Sequence, residues 1–147
     1  MTKYAVVTTF NDAGRAKYGQ RMIDSFEKNW PRDVTLHLYP ELCNPAIRNH
    51  HQVTLKRLEE IPELVAFKEK WKNVPKANGD VSNDPVRSRR VDAGKGFKWD
   101  AVRFAHKVYA IFHCAKETDA DILIWMDADT YCHSPITMED IERLIPA

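Results

Sequence analysis

A chain of 147 residues, 44% hydrophobic and 29% charged, has the ordinary make-up of a soluble globular protein, and one domain spanning residues 1–147 is expected. A net charge of +1 provides no bulk attraction for a polyanion, which argues against a nucleic-acid partner and requires any basic site to be local. The three cysteines, Cys43, Cys114 and Cys132, cannot complete a disulfide framework and lack CxxC spacing, so a reducing, cytoplasmic setting is expected, with neither a signal peptide nor a membrane span.

Residues 4–10 (Tyr-Ala-Val-Val-Thr-Thr-Phe) read as a strand, followed by a polar turn through Asn11, Asp12, Ala13 and Gly14. Within residues 16–30, Met22, Ile23, Phe26 and Trp30 recur at helical spacing, and Pro31 closes the segment. Residues 34–39 alternate and then meet Pro40. Strand, helix, strand is the unit from which parallel sheets are built, so an α/β fold is expected.

Helical spacing reappears at Leu55, Leu58 and Ile61, stops at Pro62, and resumes through Leu64, Val65, Phe67 and Trp71. Residues 72–96 lack apolar periodicity and contain Pro75, Gly79, Pro85, Gly94 and Gly96. They read as a long loop of the kind that is mobile or functional. The basic run Arg87, Ser88, Arg89, Arg90 suits either closure over an anion or a solvated surface.

Residues 97–116 carry the strongest helical pattern, with an apolar stripe through Phe97, Ala101, Phe104, Ala105, Val108, Phe112 and Ala115. Asp100, Arg103 and Lys107 fall on a different face. Two cations four residues apart repel by about a few tenths of a kcal/mol, a cost that Asp100 or a bound phosphate would offset.

Residues 122–126 (Ile-Leu-Ile-Trp-Met) are too few for a helix and read as a strand buried on both faces. The strand runs into Asp127, Ala128, Asp129 and Thr130. If the extended geometry continues, Asp127 and Asp129 share a face. Two anions at the tip of a core strand need a positive partner, and a hard divalent cation, Mg2+ or Mn2+, is the usual one. The plain alternative is a strand that ends in polar residues at the water boundary. After Pro135, Thr137 reads as an N-cap with Asp140 in the reciprocal position, opening a helix through Ile141 and Leu144 that Pro146 cuts short.

In open α/β sheets ligands bind beyond the carboxyl ends of the strands. With the first strand beside residues 122–126, Thr8, Thr9 and Phe10 reach the same rim as the two carboxylates. Phe10 could then offer a ring to a base, or equally be a core residue at a plain strand end.

The string Asp-Ile-Leu-Ile-Trp-Met-Asp-Ala-Asp-Thr, preceded by a helix bearing Lys107 and far upstream by Tyr-Ala-Val-Val-Thr-Thr-Phe, resembles the nucleotide-sugar-binding half of a GT-A-fold glycosyltransferase of the glycogenin-like retaining kind. The resemblance covers residues 97–135 well and residues 4–39 less closely, with nothing matching between. It implies a Rossmann-like sheet flanked by helices and a metal-dependent transfer of sugar from a nucleotide diphosphate sugar, UDP-linked most often, to an acceptor it does not identify. It assigns Mn2+ or Mg2+ to Asp127 and Asp129, donor contact to Lys107 and more weakly to Arg103, and the nucleoside to Thr8, Thr9 and Phe10. Such enzymes continue well beyond this motif, whereas eighteen residues follow Asp129 here and His133 is not at the family's metal-completing position. A missing acceptor half or a partner chain is therefore expected.

Two other readings compete. Asp127, Ala128, Asp129, Thr130 also resembles the start of the D-x-D-x-T motif of haloacid-dehalogenase-type phosphatases, except that the Thr follows the second Asp directly and no Lys follows it. A non-catalytic α/β binding module is the other. Zinc at His113-Cys114 and Cys132-His133 lacks paired ligand spacing. Cys114 fits core packing better, and His50-His51 fits the surface.

Overall fold

The structure, a computed structural model, describes residues 1–90 and 96–145. Four parallel strands form one sheet in the order β3-β2-β1-β4: β1 is Tyr4–Asn11, β2 Thr35–Glu41, β3 Val53–Leu55 and β4 Ile122–Trp125. Helices cover both faces. The α/β expectation holds, and β1 lies directly beside both β2 and β4, with Ala5 opposite Thr35 and Val7 opposite Trp125.

Alternation along β1 and β2 divides the core in two. Val6, Leu36 and Leu38 face one side, where they pack with Met22, Ile23 and Phe26 of α2 (Gln20–Asn29) and Ile141 of α6 (Met138–Leu144). Val7 and Tyr39 face the other, against Leu64 of α3 (Pro62–Trp71) and Ala105, Ala110 and Cys114 of α5 (Ala101–Glu117). The helical path begins immediately after β1: α1 (Asp12–Gly14) is capped by Asn11, whose Oδ1 accepts the Gly14 N–H at 2.8 Å, and a π-helical turn, Arg15–Gly19, leads into α2. A Cβ on Gly19 would stand 3.1 Å from the Phe10 ring, so the glycine is what allows this turn to sit on β1.

Several expectations need correction. Leu55 belongs to β3 and not to a helix; three residues are too few to display alternation, and hydrogen bonding to β2 alone makes this a strand. Pro40 lies inside β2, beyond the last pairing with β3 at Leu38, where its missing N–H removes no bond to that neighbour. The segment read as a long loop holds α4 (Pro75–Asn78) and a 3-10 turn, Arg87–Arg89, in which Arg87 pairs with Asp84 at 2.8 Å. Arg87 and Arg90 both lie by the Trp99 ring, at 5.7 and 5.9 Å. Residues 91–95 of that segment lie outside the described residues.

Strand β4 is an edge strand that packs on both faces, Ile122 and Ile124 toward the α2 side and Leu123 and Trp125 toward the α5 side, but its four residues are only half-buried, short of the full burial expected. The apolar stripe of α5 is turned outward at Phe104, Val108 and Phe112, which are 51%, 49% and 65% exposed. The face that meets the sheet is the small one, Ala105, Ala110 and Cys114, because short side chains let the helix approach β1 closely. The capping box of Thr137 and Asp140 forms as expected. His50 and His51 are exposed and Cys114 is buried. Among the described residues no helix is long and apolar enough to cross a membrane.

Candidate functional site

The carboxyl ends of β2, β1 and β4 form a rim, and two adjacent residues of α5 reach to either side of it. Lys107 Nζ comes within 3.9 Å of Asp127 Oδ1 beyond β4, while His106 Nε2 lies 2.9 Å from Glu41 Oε2 at the end of β2. Consecutive helical positions point about 100° apart, so one turn of α5 can brace two strands that are separated by β1. The helix starts at Asp100, whose Oδ1 accepts the Arg103 backbone N–H at 2.9 Å. Asp100 therefore acts as an N-cap and not as the ion partner expected for Arg103. The Arg103 side chain is exposed and pairs with no described residue.

Strand geometry stops at Trp125, and the Thr130 N–H and Oγ1 both donate to the Asp127 carbonyl, at 3.1 and 2.6 Å. Asp127 and Asp129 thus stand in a turn, so strand alternation does not orient them as expected, and only Asp127 is held by a side-chain hydrogen bond. The Trp125 indole N–H donates to Asp127 Oδ1 at 2.7 Å, and Lys107 Nζ sits 4.6 Å from the centroid of the same ring. Trp125, Asp127 and Lys107 form one compact group. Both charged members are largely open to water, so the ion pair itself stabilises by at most about 1 kcal/mol. Asp129 is exposed, and no described residue engages its carboxylate.

Ala128, between the two carboxylates, is buried and roots the turn in the α2-side core. The Met126 N–H donates to the Val7 carbonyl at 3.1 Å, which holds the turn against β1. Beside it, Thr8 is fully buried with an unpartnered Oγ1, and Thr9 Oγ1 donates to the Tyr39 carbonyl at 2.6 Å. Phe10 is 5% exposed and belongs to the core, so its ring is not presented to a base as the nucleoside assignment required. These three residues reach the rim, but their side chains face inward or are already bonded.

Two groups escaped the sequence reading. Trp125 lies two residues before Asp127, and the same-face rule for a strand would have singled it out. Glu41 is held by Lys68, 2.9 Å away, as well as by His106. Contact with His106, helped by Lys68 and opposed by burial, holds the Glu41 carboxyl down at about 2. The depressed folded value means that Glu41 contributes stability above its ordinary value of 4.5, lost as the pH falls toward 2. Urea denaturation across that window should show a steeper acid loss for the wild type than for Glu41→Gln. Equal slopes would remove Glu41 as a brace.

Among the described residues no three or more His, Cys, Asp or Glu side chains gather as a ready-made metal cage. Asp129, together with the Asp127 oxygen that Trp125 leaves free, suits a hard cation that takes one or two carboxylates and completes its shell with phosphate and water. No family model matches the chain, and no curated protein and no solved structure shows significant similarity to it.

Proposed function

We propose that the chain is the donor-binding domain of a GT-A-type glycosyltransferase that takes a nucleotide diphosphate sugar, UDP-linked most often, with Mn2+ or Mg2+ held by Asp127 and Asp129. The observation that carries the reading is the convergence of Lys107 from α5 on an acidic turn at the carboxyl end of a strand parallel and adjacent to β1. Convergent cation and carboxylates at the end of a parallel sheet are the parts a diphosphate needs: carboxylates for its metal and an ammonium for its oxygens.

In this reading the cation, when bound, neutralises charge on the diphosphate as the glycosidic bond breaks. Lys107 meets the leaving oxygens directly, and its partial neutralisation by Asp127 keeps it parked at the rim before substrate arrives. Trp125 fixes one Asp127 oxygen and its ring attracts the Lys107 ammonium, which reduces the reorganisation needed on binding. Neither Asp127 nor Asp129 has to transfer a proton. The buried Phe10 shifts recognition of the base from stacking on its ring to the backbone at the end of β1.

Thermal denaturation with UDP-, GDP- and ADP-sugars, each with and without Mn2+, tests the reading. A ligand present at a hundred times its Kd stabilises by about 2.7 kcal/mol, well within detection. A shift that needs both metal and nucleotide is the expected result. No shift with any of the three, or one indifferent to metal, would reject donor binding, and release of nitrophenol from its phosphate ester would move the reading to the phosphatase class.

A further inference from the structure

The face of the sheet covered by α2 carries a second polar feature, separate from the Lys107 group. The segment after the acidic turn folds back along α2: Ser25 Oγ accepts the Cys132 N–H at 3.0 Å, and the Asn29 side chain donates to the Cys132 carbonyl at 2.9 Å. Between this segment, α2 and the loop before β3 runs a groove of about 760 Å³ to which Arg21, Lys28, Arg32 and Arg48 contribute. Several cations elsewhere sit on carboxylates, as Lys68 does on Glu41, Lys72 on Glu69 and Arg143 on Asp140. The four in the groove have no acidic partner among the described residues.

Its two carboxylates are bonded to neutral donors and keep their charge, and Glu27 Oε1 is buried with no partner among the described residues. Glu27 Oε2 accepts the backbone N–H groups of Arg48 and Asn49, and Asp24 Oδ1 accepts from the Gln20 amide at 3.1 Å. Four cations against these two carboxylates leave the groove with a local excess of positive charge on a chain whose net charge is only +1. At its upper end stands Tyr131, two residues past Asp129, 47% exposed and with the Arg21 guanidinium 3.6 Å from its ring centroid.

We infer that this groove is a track for an oligosaccharide bearing carboxylates, and that it seats the acceptor of the transfer proposed above; the acceptor role rests on that reading, the binding does not. An aromatic ring beside an arginine suits a sugar, whose C–H face packs on the ring while an acidic substituent meets the guanidinium. Arg21 and Lys28 are seven residues apart on the helix, roughly 10 Å at 1.5 Å per residue, which is about the span of two sugar rings. Arg32 and Arg48 continue the positive charge at the far end. Single-stranded nucleic acid is disfavoured because it needs a series of aromatic platforms, and among the described residues the groove offers only the Tyr131 ring and the His133 imidazole.

The test is calorimetric titration of the full chain with tetragalacturonate, in the absence of nucleotide and metal. Neutral maltotetraose and a short oligothymidylate are titrated in parallel. Tetragalacturonate should bind, weaken as salt is raised, and lose at least tenfold in affinity in the Arg32→Glu/Arg48→Glu variant and in Tyr131→Ala. All three sites are exposed, so the melting temperature should hold. Maltotetraose should not bind. Equal affinity for maltotetraose, tighter binding of the oligothymidylate, no binding of tetragalacturonate, or an unaffected charge-reversal variant would each overturn the track. UDP-sugar binding, measured separately, remains intact if the track alone is wrong, and tetragalacturonate binding remains intact if the donor reading alone is wrong.

Discussion

Asp129→Ala should weaken metal-dependent binding of a UDP-sugar by at least roughly 100-fold, about 2.8 kcal/mol, while the protein stays folded. The two halves of this expectation have separate causes. Asp129 is exposed and its carboxylate is bonded to no described residue, so its removal breaks no contact among them, and surface substitutions of that kind fall within about 0.5 kcal/mol. Yet it is the carboxylate left wholly available to a cation, since Trp125 and Lys107 already occupy Asp127. Calorimetric titration with Mn2+ and UDP-sugar, beside a urea melt, reads both. Asp127→Ala is the informative contrast, because it also releases Lys107 and the Trp125 indole and should alter nucleotide binding even without metal. An Asp129→Ala protein that binds as the wild type does would remove the metal site and with it the donor reading.

Phe26→Ala should destabilise the fold by about 3–5 kcal/mol, a large part of what a domain of this size possesses. Its ring is 1% exposed, lies in the α2-side core and stacks on Trp30 with centroids 4.9 Å apart. Truncation leaves a cavity bounded by strand residues that cannot collapse into it. Phe112→Ala makes the necessary comparison. Helical spacing alone gives Phe26 and Phe112 the same weight, but Phe112 is 65% exposed and its loss should cost no more than about 0.5 kcal/mol. Equilibrium urea unfolding with an unchanged slope is the measurement. A large loss at Phe112 would mean that the outward stripe of α5 is covered in solution.

The site was legible where chemistry is written in consecutive residues. Asp127 and Asp129 stand out as candidates by following an apolar run, and Lys107 through the resemblance, which puts a basic residue on the helix before that strand. Thr8, Thr9 and Phe10 were located on the rim correctly, but their availability was not. Whether a strand-end side chain faces a ligand or the core depends on what packs against it. For Phe10 that is the turn at Gly19, nine residues away in sequence. Glu41 and His106 were invisible for the same reason: a carboxylate and an imidazole 65 positions apart signal nothing until β2 and α5 are set side by side.

Local pattern was enough to determine that this is a parallel α/β domain, where β1, β2 and β4 run, that Phe26 lies inside, and that Thr137 opens the last helix. Each follows from side-chain period or capping chemistry within a few residues. Tertiary packing alone decided that β4 is an edge, that α5 turns its alanines and Cys114 inward and its phenylalanines outward, and that the acidic pair is oriented by a turn and an indole. It also brought four cations with no acidic partner among the described residues, from α2 and two loops, into one groove. Burial and ion pairing are properties of neighbours in space, and the sheet order that chooses those neighbours is set by the sum of contacts along the whole chain.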